Sequence, residues 1–84
     1  MMTSSLETSR RNGGDWNHRV HISWGPKGRV IFDLTSEQLS TLQKAAKGGR
    51  GNVYRAFQRL DLERYYQALG DDGRDELVAL LSRG

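Results

Sequence analysis

The sequence predicts a small α+β protein in which an N-terminal β-hairpin packs against three or four short C-terminal helices. Apolar and polar residues alternate over residues 19–24 and again over 29–34, as in strands with one buried face. After residue 35, apolar residues recur every three or four positions, as in helices with one buried stripe. The 84 residues suffice for one domain of this kind.

The first fifteen residues are predicted to form a flexible N-terminal tail, followed by a single compact domain at residues 16–84. Ser, Thr, Arg, Asn and Gly predominate in the tail, and Leu6 is its only apolar residue besides two methionines. Trp16 follows directly, and the size of its ring predicts that it closes over one end of the core.

Two strands and a tight connection form the predicted hairpin. Residues 25–28 place a proline and a glycine where a type I turn favours them. Because a two-stranded sheet is not stable alone, we expect helices to cover its apolar face. The residues on that face are Val20, Ile22, Trp24, Val30, Phe32 and Leu34.

The first helix is predicted to begin at a capping box made by Thr35 and Gln38 and to end at Gly48 or Gly49. A second helix would be capped by Asn52. The apolar stripe of the first helix is Leu39, Leu42 and Ala46, and that of the second is Val53, Phe57 and Leu60.

Beyond Leu60 the apolar stripe moves to the opposite side of the helix. Either the helix breaks at Asp61, which would cap a third helix, or one continuous helix is apolar on two sides. We favour the break; the continuous helix would leave one stripe for a second subunit. A last helix is predicted after Gly70, with Asp72 as its cap and a stripe of Leu77, Leu80 and Leu81.

The residue types and their spacing do not predict a disulfide, a metal site or a catalytic site. The chain has no cysteine, so it has neither disulfides nor thiolate ligands. His18 and His21 should point to opposite faces of one strand, which separates them as metal ligands. No spacing sets a nucleophile beside a base, and a domain this small leaves little room for a cavity of about 300 Å³ or more. We therefore expect a protein that is not an enzyme and that has no catalytic residue, metal or cofactor.

Cellular location is predicted from apolar runs. None approaches the roughly 18 residues of a membrane-spanning helix, and the first twelve residues lack the apolar centre of a signal peptide. We expect a cytoplasmic protein with no membrane partner. Because so small a domain is often only marginally stable alone, a homodimer is an open alternative.

Charge is distributed unevenly along the chain. Residues 1–60 have ten basic and four acidic residues, a net charge of +6, whereas residues 61–84 have three basic and six acidic residues, a net charge of −3. This asymmetry predicts a basic surface for an anionic partner and a separate acidic region. Chance segregation on a solvated surface is the alternative.

The segment of residues 38–60 points most directly to a partner, since it contains five basic residues, no acidic residue and a glycine-rich turn. Cationic side chains beside backbone N–H groups at a helix start are suited to phosphate. The expected phosphate contacts are Lys44, Lys47, Arg50, Arg55 and Arg59, with Arg19, Lys27 and Arg29 of the hairpin as secondary contacts. We therefore predict a small non-catalytic protein that binds nucleic acid or a nucleoprotein complex. The alternative is that these basic residues have no ligand. Lys44 and Lys47 would then stabilise the C-terminal end of the first helix, and Arg55 and Arg59 would lie on a solvated face of the second.

The alternative function is that of a regulatory protein, a phage- or host-type inhibitor or adaptor that binds another protein. Its surface would combine aromatic anchors with the acidic C-terminal region. Tyrosines at helical spacing are also typical of a core. The residues of this alternative surface are Leu62, Tyr65, Tyr66 and Leu69.

Overall fold

The computed structural model describes residues 3–10, 16–26 and 28–83, and in this part of the chain an antiparallel three-stranded sheet packs against four helices. The predicted α+β class is confirmed. The strands are β1 (Thr3–Arg10), β2 (Trp16–Ser23) and β3 (Arg29–Thr35), in that spatial order. The helices are α1 (Ser36–Ala46), α2 (Arg50–Arg59), α3 (Glu63–Ala68) and α4 (Asp71–Arg83).

The predicted flexible tail is wrong over residues 3–10, which form the edge strand β1. This strand pairs with β2 over its whole length, from Thr3 opposite Ser23 to Arg10 opposite Trp16. The predicted hairpin of β2 and β3 is therefore part of a larger sheet. The other residues of the predicted tail, 1, 2 and 11–15, lie outside the described residues.

Polar contacts on the helix-facing side of β1 explain why its sequence lacks an apolar pattern. Ser4 donates a hydrogen bond to the Glu76 carboxylate of α4, and Thr8 is hydrogen-bonded to His18 on β2 (Oγ1–Nδ1, 3.0 Å). Between them, Leu6 packs against the core. Hydroxyl groups thus occupy positions at which apolar side chains would have produced the alternating pattern of a strand.

The helix-facing side of β2 and β3 forms one side of the core, as their alternation predicts. Its five buried strand residues are Val20, Ile22, Val30, Phe32 and Leu34. The helices contribute the rest, and Phe57 of α2 lies at the centre, with its ring 5.8 Å from that of Phe32. The predicted buried stripe of α4 is confirmed at Leu77, Leu80 and Leu81.

The two tryptophans have different environments at opposite ends of β2. Trp16 does not close over the core as predicted: it is 45% exposed, and the Arg10 guanidinium lies 5.1 Å from its ring centroid. Trp24 is partly buried and packs against Gly28 and Gly73. A Cβ on Gly73 would lie 3.0 Å from the Trp24 ring, so the missing side chain lets the end of β2 approach α4 closely.

The helix boundaries partly follow the predictions. The capping box is confirmed, because Thr35 Oγ1 accepts from the Gln38 N–H and the Gln38 side chain accepts from the Thr35 N–H. The predicted Asn52 cap is wrong: α2 begins at Arg50, and Gly49 is its N-cap, with φ 93° and ψ −174°. Only glycine adopts this backbone conformation readily, which decides where α2 can start.

The predicted break at Asp61 is confirmed, since α2 ends at Arg59 and α3 begins at Glu63. Asp61 has a positive φ of 60°, a conformation that Asp tolerates better than most residues. Its predicted capping role is wrong, because Leu62 is the N-cap of α3 and no described side chain caps it. Asp72 does not cap α4 either, since that helix already begins at Asp71. No described helix is both long and apolar enough to span a membrane.

Candidate functional site

An open cavity of about 430 Å³ lies between α1 and α2, and we call it the α1–α2 cavity. Two alanines, Ala45 and Ala56, line it where the helices meet, and their small side chains leave the space open. The short length of the chain predicted little room for a cavity of about 300 Å³ or more, but this open cavity exceeds that volume. The remaining lining residues are Thr41, Lys44, Asn52, Arg55 and Arg59.

The α1–α2 cavity is cationic. Lys44, Arg55 and Arg59 were all predicted as phosphate contacts, and the structure brings them together around one opening. Their side chains are exposed, and none forms an ion pair with a described residue. The lining includes no acidic residue. Three like charges without a described counterion raise the positive potential of the cavity.

Helical spacing explains this convergence. Arg55 and Arg59 are four residues apart and therefore lie on one side of α2. Asn52 precedes Arg55 by three residues and shares that side, as its spacing predicts. Its amide lies over Gly48, where a Cβ would collide with it. A glycine at 48 thus allows an amide group at the rim of the cavity.

Thr41 is a polar lining residue of the α1–α2 cavity that is not among the predicted phosphate contacts. It lies three residues before Lys44, so the same helical spacing indicates it once polar side chains are considered. Its hydroxyl donates to the Glu37 carbonyl at 3.1 Å and retains acceptor capacity. The cavity therefore combines charge with polar groups that can position a ligand.

The glycine-rich turn differs from the anion-binding turn that was expected. The Gly48 and Gly49 N–H groups donate to the Ala45 and Ala46 carbonyls at 3.0 and 3.2 Å. Two of the backbone donors expected to face a phosphate are thus occupied by the end of α1. Side chains of the adjoining helices, rather than the turn, supply the cationic site.

Arg50 is separate from the α1–α2 cavity. Its guanidinium lies 3.3 Å from Asp71 and 3.1 Å from Asp75, both on α4. A hydrogen bond with Tyr66 and the two carboxylates raise the pKa of Arg50 above its ordinary value. Arg50 instead borders a second cavity of about 330 Å³, which Arg74 also lines. Its predicted phosphate contact would have to compete with two carboxylates.

Lys47 lines a third cavity, of about 300 Å³, between α1 and α4. We call this the α1–α4 cavity. Lys44 lines it as well, so this lysine borders the spaces on both sides of α1. The other lining residues are Ser40, Gln43, Leu81 and Ser82.

The secondary contacts predicted on the hairpin are not gathered at these cavities. Arg19 and Arg29 occupy the sheet face that points away from the helices. A hydrogen bond to Asp33 (3.0 Å) is the main cause that raises the pKa of Arg19, and Glu7 lies opposite it on β1. Arg19 is therefore flanked by two carboxylates. Lys27 lies outside the described residues.

The alternative protein-binding surface is largely part of the core. Tyr66 and Leu69 are only 4% and 1% exposed, which removes them from a surface that a partner could contact. Tyr65 stacks on Phe32 with the ring centroids 5.0 Å apart, and Leu62 is also packed against the core. The second apolar stripe thus covers the sheet, which explains why the helix must break.

Metal ligation has no support in the described part of the chain, where no group of three or more His, Asp or Glu side chains is placed to hold an ion. His18 hydrogen-bonds to Ser36 at the start of α1, whereas His21 occupies the opposite sheet face. No protein-family model, curated protein or solved structure matches this chain.

Proposed function

We propose that this protein is a small non-catalytic protein that binds nucleic acid, alone or in a nucleoprotein complex, through the α1–α2 cavity. One observation carries the proposal: Lys44, Arg55 and Arg59 line a single open cavity without an acidic neighbour in its lining. Phosphate groups are the ligands that Arg and Lys side chains favour in such a setting, because binding releases condensed counterions.

The remaining lining fits the same ligand. Thr41 and Asn52 offer hydroxyl and amide groups, which commonly contact phosphate oxygens and sugars. The lining includes no carboxylate or imidazole that would act as a general base. Under this proposal the protein acts by occupying a nucleic acid, which is a regulatory role consistent with a cytoplasmic location.

Fluorescence anisotropy of labelled random duplex DNA and single-stranded RNA across a salt series tests the proposal. We expect the logarithm of the association constant to fall linearly with the logarithm of salt concentration. Replacing Lys44, Arg55 and Arg59 together by Ala should flatten the slope by about one unit for each phosphate-binding side chain removed.

Arg64→Ala is the control for the removal of one positive charge. Arg64 is exposed on α3 and does not line the α1–α2 cavity, so its replacement should leave the slope nearly unchanged. Circular dichroism of each variant checks that the fold is retained. If neither nucleic acid binds at about 100 mM salt, where several phosphate contacts should still hold, the proposal is wrong.

A further inference from the structure

The exposed side of α1 stands between two concave surfaces. The α1–α2 cavity opens along one flank and the α1–α4 cavity along the other. The helix therefore projects as a ridge, which we call the α1 ridge and define as Ser40, Thr41, Gln43 and Lys44. All four are exposed or partly exposed, and each lines at least one of the two cavities.

Cations flank the α1 ridge on both sides. Arg55 and Arg59 of α2 lie along one flank, Lys47 lies along the other, and Lys44 borders both cavities. Neither cavity has an acidic residue in its lining. A single phosphate or one nucleic-acid strand would need only one such flank, whereas two flanks suit two rows of phosphates.

The dimensions of the ridge match one form of nucleic acid. An α-helix with its side chains is about 10–12 Å across, and the major groove of B-DNA is about 12 Å wide and bordered by a phosphate row on each side. The major groove of double-stranded RNA is too narrow for side chains to read. We infer that the α1 ridge lies in the major groove of duplex DNA, with Arg55 and Arg59 at one phosphate row and Lys47 at the other. This inference rests on the proposed function.

The ridge also has side chains suited to the groove floor. Gln43 has an amide that can pair with adenine, and the hydroxyls of Ser40 and Thr41 can bond either donors or acceptors. Glu37 is exposed at the start of α1, where a carboxylate would accept from the amino group of cytosine and would repel a phosphate. We therefore place the start of α1 toward the bases rather than toward the backbone.

Competition binding with the full chain tests this placement. A labelled duplex DNA of about 20 base pairs, two helical turns, is displaced by unlabelled duplex DNA, double-stranded RNA or single-stranded DNA of the same length and sequence. We expect duplex DNA to compete at least about tenfold better than either alternative, since only it offers both phosphate rows beside a groove of this width. Equal competition by either one would overturn the inference while leaving nucleic-acid binding intact.

Single substitutions on the two flanks provide the second test. Lys47→Ala and Arg55→Ala should each flatten the salt slope for duplex DNA by about one unit, whereas Arg64→Ala, which removes an exposed charge from neither cavity, should not. A change with Arg55→Ala but none with Lys47→Ala would show that only one flank is used and would overturn the ridge. Absence of binding to all three nucleic acids would overturn the proposed function as well, which separates the two failures.

Discussion

Gly49 links α1 to α2 through a backbone conformation that side chains strongly disfavour, with φ 93° and ψ −174°. Gly49→Ala should lower the free energy of unfolding by about 1–3 kcal/mol, the usual cost of holding such a residue in this region. Urea denaturation followed by circular dichroism measures the change.

Gly51→Ala is the control for this prediction. Gly51 lies in the first turn of α2, and a Cβ there would meet no atom within 4 Å. Alanine should therefore raise the free energy of unfolding by up to about 1 kcal/mol, through its higher helix propensity. Equal effects at positions 49 and 51 would contradict the assigned start of α2.

The placement of the candidate site residues is predictable from the sequence where it follows from helical spacing. Arg55 and Arg59 share a side of α2 by their sequence separation alone. Arg50 is different, because its pairing with Asp71 and Asp75 joins positions 21 and 25 residues apart. No local periodicity encodes that contact, so the sequence indicated the charge of Arg50 but not its partners.

At the scale of elements, a hydrogen bond joins α2 to α3, and its contribution to stability depends on pH. The Tyr54 hydroxyl donates to the Glu63 carboxylate at 3.0 Å, and this bond is the main cause that raises the pKa of Tyr54 above its ordinary value of 10.0. The fold thus favours the neutral phenol. The stability from this bond is complete below the unfolded pKa of about 10 and is lost as the pH rises through the higher folded pKa.

Tyr54→Phe should remove this alkaline dependence. Chemical denaturation at pH 8 and at successive steps above about pH 10 should show a smaller loss of stability in the variant than in the original protein. The variant should also be slightly less stable at pH 8, because Glu63 loses a donor. Identical pH profiles would show that the Tyr54–Glu63 bond does not contribute to holding α3 against α2.

Elements differ in how clearly the sequence encodes them. The apolar alternation of β2 and β3 and the capping box of α1 are local patterns, and the structure has them at the expected positions. Two of the three wrong cap predictions have one cause, because Asn52 and Asp72 are good capping residues in general but lie inside helices here. Strand β1 was not predicted because its helix-facing side has Ser4 and Thr8, which form hydrogen bonds, in place of apolar residues that would show an alternating pattern.

For the whole molecule, β1 turns a two-stranded unit into a sheet of three strands and adds Leu6 to a small core. Leu6→Ala should lower the free energy of unfolding by about 1–2 kcal/mol, somewhat less than the loss of a fully buried side chain. For a domain of this size, that change lowers Tm by about 4–8 °C for each kcal/mol. Thermal unfolding followed by circular dichroism gives the value.

Ser9→Ala serves as the comparison, since Ser9 is exposed on β1 and faces away from the helices. It should change Tm little. If Leu6→Ala also left Tm unchanged, residues 3–10 would behave as the tail that composition alone predicts, and the pairing of β1 with β2 would be wrong.

The uneven charge of the whole chain has a structural explanation in part. Arg50 belongs to the basic half, and its partners Asp71 and Asp75 belong to the acidic half, so the two halves meet through ion pairs between α2 and α4. These contacts are exposed and contribute little to stability. They do consume positive charge on one side of α2, which leaves the cavity on its other side as the cationic surface.

The different surroundings of Trp16 and Trp24 give this chain two built-in optical reporters. Trp24, which is packed against the core, should emit at shorter wavelength than the more exposed Trp16 and should shift to the red when the sheet separates from α4. Trp16 is 45% exposed and lies against the Arg10 guanidinium, so its emission should respond chiefly to the β1–β2 end of the sheet. Replacing each tryptophan in turn by Phe would therefore follow the two ends of the molecule independently during unfolding.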